Sequence, residues 1–161
     1  MRNIAIISLG CLLGLASCSS LTSQRATNLN SERREEGTQS IVIAASPEQV
    51  RTTLVSSAEE KGTIITRNEG NMVIMENAIG RRNEVLDEEF GPSDKGERLI
   101  RIRIRFSGNA CKTLVVQDLA LLNNAYTVDE RSFKLPGDAN TQASLQQLKN
   151  NSEQKSTCPT S

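Results

Sequence analysis

The chain has 161 residues, 19 Lys and Arg against 19 Asp and Glu, no histidine or tryptophan, one tyrosine and three phenylalanines. Without histidine it lacks the commonest general base and the commonest metal ligand together. Balanced charge and so few rings also argue against nucleic acid as a partner and against sugar-stacking sites.

Residues 1–17 begin with a basic Arg2 and continue through an apolar run over residues 4–15. That run is about half the roughly 20 residues a membrane-spanning helix requires. A charged start, a short apolar stretch and small residues before a cut mark a secretory signal peptide. Its end, Leu15-Ala16-Ser17-Cys18, resembles the lipobox of bacterial lipoproteins, with every position filled. The resemblance implies that Cys18 takes a diacylglycerol, becomes the first residue of the mature chain, and is acylated on its new amino group. Two or more such chains hold a protein firmly where one binds only marginally. Ser19 follows in place of the aspartate that resembles an inner-membrane retention signal, so the expected address is the periplasmic face of the outer membrane. The alternative is an uncleaved anchor helix with a coincidental Cys18. Cys11 leaves with the signal peptide in the first reading.

Residues 18–37 are polar and of mixed charge, with Leu21 and Leu29 as the sizeable apolar side chains. They read as a tether whose root-mean-square reach is on the order of 25 Å. Residues 38–150 are the right size for one small domain with a modest aliphatic core, and residues 151–161 read as a polar tail.

Within that domain "QSIVIAA" is rich in β-branched residues and predicts a strand. Ser46, Pro47 and Gln49 open a helix with a capping box, Val50, Leu54 and Ala58 form its apolar stripe, and Gly62 stops it. "TIITR" and "MVIMENA" form a hairpin, followed by an irregular charged segment over residues 80–96. "LIRIRIRF" and "KTLVVQDLAL" form a second hairpin around Ser107-Gly108-Asn109, and "RSFKL" adds a short strand. Asp138 or Asn140 caps a last helix with the stripe Thr141, Leu145 and Leu148. The order strand, helix, strands, helix with short turns predicts an α+β fold: a mostly antiparallel sheet with two helices on one face.

That order, with the first strand followed by "SPEQV", resembles helix-grip domains, in which a sheet curls around a C-terminal helix. The resemblance implies an alternative function, carriage or sensing of an apolar ligand or lipid in a cavity under that helix. The last helix here reads as about three turns at most, short for closing a large cavity.

No catalytic residue, metal site or cofactor is expected beyond the covalent lipid. Serines and threonines lack a histidine or buried lysine to activate them. Glu84, Asp87, Glu88, Glu89, Asp94 and Glu97 fit no calcium loop and read as a solvated acidic loop balancing neighbouring arginines. Cys111 and Cys158 remain after lipidation, and a disulfide between them is the natural reading for an oxidising compartment. Two free thiols, or an intermolecular bond through Cys158, are the alternatives.

The strict alternation of Ile100, Ile102 and Ile104 with Arg101, Arg103 and Arg105 sends isoleucines and arginines to opposite faces of a strand. The arginines have three readings. They lie on a solvated face paired to the acidic loop or to Glu76 and Asp118, which is the preferred reading; they dock an acidic envelope protein; or they contact anionic headgroups. The function expected is that of a lipid-anchored periplasmic accessory protein with a structural or interaction role, not an enzyme.

Overall fold

The computed structural model describes residues 38–159. The signal peptide, Cys18 and the tether therefore lie outside the described residues. Nine elements follow in order: β1 (Gln39–Ile43), α1 (Pro47–Glu60), β2 (Ile64–Glu69), β3 (Met72–Ala78), α2 (Glu84–Phe90), β4 (Glu97–Asn109), β5 (Lys112–Ala125), β6 (Arg131–Leu135) and α3 (Ala139–Gln154). The fold is α+β, and every strand pairing in its six-stranded sheet is antiparallel.

The long β4–β5 hairpin is the spine of the sheet. β3 and then β2 extend it on the β4 side. On the other side, β1 pairs residues 113–117 of β5 and β6 pairs residues 119–123. Since β4 occupies one edge of β5 throughout, β1 and β6 share the other edge end to end. The hairpin turns at Ala110 and Cys111, with Asn109 opposite Lys112, two residues beyond the expected turn at Ser107-Gly108-Asn109. Ladder pairing carries on through Gly108, whose φ is +145° and where a Cβ would sit 1.9 Å from the Lys112 carbonyl oxygen. Only glycine fits that approach.

Ile43, Val73, Met75, Ile104, Phe106 and Val115 form one face of the sheet and pack against Val50, Leu54 and Ala58 of α1 and Leu145 and Leu148 of α3. Each fully buried aliphatic side chain contributes roughly 1.5–3 kcal/mol. α1 begins as its sequence predicts, with the Ser46 hydroxyl accepting the Gln49 N–H at 3.1 Å. The side chain of Gln49 does not close the capping box; it donates to Thr53 Oγ1 one turn on.

Two expectations about helices need correction. A third helix, α2, stands in the segment read as irregular: Asn83 caps it by accepting the Leu86 N–H, and Gly91 ends it at φ +81°. None of its residues is fully buried, and its apolar signal is one i, i+4 pair, half-buried Leu86 and Phe90, with Phe90 against Phe133. It is held by a contact from afar, described below. The last helix has 16 residues, about 24 Å, and runs four residues into the stretch read as a polar tail. Asp138 is its cap, in a reciprocal box with Thr141. Tertiary contacts prolong it: Ser152 is fully buried, and Glu153 accepts the Ala44 N–H at 2.8 Å while pairing with Lys149.

Candidate docking face

Cross-strand pairing puts Arg101 opposite Glu76 and Arg103 opposite Asp118, all on the sheet face away from α1 and α3. Arg101 Nε donates to Glu76 Oε1 at 2.6 Å, and Arg103 Nη2 lies 2.9 Å from Asp118 Oδ2. Arg105 faces Met72 and Val116 across the strands and reaches along the face to the same Asp118 oxygen at 3.1 Å. The Thr38 hydroxyl donates to the other oxygen of Asp118, and the Tyr126 hydroxyl to Glu76. The carboxylates are sunk and the cations are not: Glu76 and Asp118 side chains are 4% and 9% exposed, whereas Arg103 and Arg105 are each 47% exposed.

This arrangement can present positive hydrogen-bond donors outward while their stems seal two buried acids beneath. Exposed Val42 on β1 and Ile64 on β2 flank the row on the same face. At the Arg101 end, the loop bearing Tyr126 and Glu130 folds over, with Glu130 3.8 Å from Arg101. None of the described helices packs on the Arg103 and Arg105 part of the face.

Burial raises the pKa of Asp118, but the hydrogen bonds from Arg103 and Thr38 and the charges of Arg105 and Arg103 outweigh it, so the pKa falls below the ordinary value. A depressed acid contributes stability above its unfolded pKa, about 3.9, and loses it as pH falls through the lower folded value. Glu153 is depressed too, chiefly by the Ala44 N–H and Lys149. Acid unfolding followed by circular dichroism should therefore steepen below about pH 4, and Asp118→Asn should flatten that limb. A limb identical in the variant would remove Asp118 from the account.

Cys111 and Cys158 are joined, with Cα atoms 5.5 Å apart, so the bridge ties the segment after α3 to the β4–β5 turn. The acidic segment is not simply solvated. Asp87 binds Arg98 at 2.6 Å, and Glu97 binds Arg81 at 2.8 Å.

Arg98 is the residue that the sequence reading missed. It is fully buried: its Nε donates to Asn123 Oδ1, and one Nη donates to both Asp87 and the Gly91 carbonyl. Its signal was available, because Arg98 has the parity of Ile100 and Ile102 and so lies on the apolar face.

No protein-family model matches the chain, and no curated protein matches it. Among solved structures, the crystal structure of a TBP-like protein from Parabacteroides distasonis is similar with a TM-score of 0.31 and 10% identity. The likeness covers 60% of this chain and 64% of that one, so the chain spans less than two thirds of that protein's length. Among the described residues, no helix is long and apolar enough to cross a membrane.

Proposed function

We propose that this protein is a lipid-anchored accessory component of the cell envelope, held at the periplasmic face of the outer membrane through Cys18. It docks an acidic protein partner through Arg103 and Arg105, with Arg101 fixed behind them. The observation that carries the docking reading is the half-exposed arginine pair on a sheet face that no described helix covers. The lipobox and the bridged cysteine pair both fit an exported, oxidising location.

Changing all three arginines at once would strand two buried carboxylates, so the clean test is Arg105→Gln, which leaves Asp118 bound to Arg103 and Thr38. Stability should change by about 0–1 kcal/mol. Crosslinks formed in the native envelope should drop, and binding should weaken with added salt. A stable variant with undiminished crosslinks would make the row ordinary surface, and crosslinks to lipid alone would replace the protein partner with headgroups. Cys18→Ala, in parallel, should give an unprocessed precursor without lipid; continued cleavage and detergent partitioning would defeat the anchor.

A further inference from the structure

On the opposite face, the second half of α1 and the first three turns of α3 stand apart over the sheet and leave a cavity of about 320 Å³. Leu54, Met75, Ile102, Ile104, Leu145 and Leu148 line it, all of them aliphatic or thioether side chains. The mouth is polar, with Lys61, Ser144, Gln147 and Asn151. Such a volume lies at the lower end of the roughly 300–1,000 Å³ of small-molecule pockets.

Of the polar side chains in the lining, Gln117 is the buried one; the others, such as Thr63, Asn77 and Thr141, are partly or fully exposed. Gln117, from the middle of β5, is 4% exposed and borders the cavity, yet its amide makes no hydrogen bond to any described residue. That amide keeps its hydrogen-bonding capacity open toward the cavity, and its cross-strand neighbours on this face are Ile104 and Gln39, whose own Oε1 is buried without a partner. Loosely facing aliphatic walls likewise forgo dispersion contacts. A single occupant satisfies both: hydrocarbon for the walls and one neutral polar group for the amide.

From this we infer that the α1–α3 cavity binds a small aliphatic chain bearing one neutral hydrogen-bonding group, a hydroxyl, ester or amide, which pairs with Gln117. No aromatic ring lines the cavity to stack a planar ligand, and no buried cation is there to hold a carboxylate. The site is independent of the arginine face, so either can fail alone.

Decanol and decane are suitable probes, read by NMR on the full chain with methyl-labelled methionine. Met75 lines the cavity, while Met72 lies on the other face, opposite Arg105. Decanol should shift the Met75 methyl signal saturably, leave Met72 in place, and bind about tenfold more tightly than decane. Gln117→Leu should bind both alike. No shift at Met75 up to the solubility of decanol, or equal shifts at both methionines, would overturn the site. Equal affinity of the unmodified protein for decanol and decane would overturn the role of Gln117 even if the variant did not fold.

Discussion

Reducing the Cys111–Cys158 bridge lowers the stability of the domain by about 4 kcal/mol. The bridge closes a loop with a sequence separation of 47, and restricting the unfolded chain over such a loop accounts for a loss of that size in the entropy model. In a domain of this size the melting temperature should fall by about 10–20 °C. Cys111 is exposed at the hairpin turn and Cys158 is partly exposed, so a mild reductant reaches them in the folded state. The folded product should keep its sheet, because the bridge lies at the hairpin end and the core contacts of α3 at Leu145 and Leu148 do not depend on it. Thermal unfolding with and without dithiothreitol, beside a non-reducing gel, makes the check. Equal melting temperatures and two rapidly titrating thiols would show that the bridge is not formed.

Asp87→Ala should cost about 3 kcal/mol although the residue sits on a short helix with no fully buried residue. The reason is its partner. Arg98 is 0% exposed and Asp87 is the carboxylate it contacts, so removing the acid leaves a guanidinium in the interior with only the Asn123 and Gly91 oxygens as acceptors. One of its terminal nitrogens already lacks a partner. Uncompensated buried charge is far more damaging than loss of a surface pair, which contributes about 0–1 kcal/mol. Replacing the base as well should therefore help: Arg98→Met on top of Asp87→Ala removes the charge while filling similar space, and stability should recover toward the starting value. Urea unfolding of the two variants and the double variant gives the coupling directly. If Asp87→Ala costs less than about 1 kcal/mol, Arg98 is solvated and the pinning of α2 described above is wrong.

Short-range chemistry made most of the architecture readable from the residues alone. Alternation assigned β4 its two faces, the Ser46 and Asp138 caps started α1 and α3, and β-branched runs separated by tight turns implied an antiparallel sheet. These signals are legible because each depends on side chains within a turn or a strand of one another. The docking row was visible for the same reason, and strand order then offered Glu76 and Asp118 as partners. What the sequence did not convey arises between distant segments. α2 is too short for more than one apolar pair and is held by Arg98 on Asp87 and by Phe133 against Phe90, 43 residues on. α3 continues past Asn150 because Glu153 finds the Ala44 amide 109 residues away. Burial of Glu76 and Asp118, which turns an ordinary set of ion pairs into lids over charge, follows from how neighbouring strands and loops crowd them. The cavity at Gln117 is likewise set by the spacing of two helices over the sheet, and a packing distance between separate elements leaves no mark in either helix's own sequence.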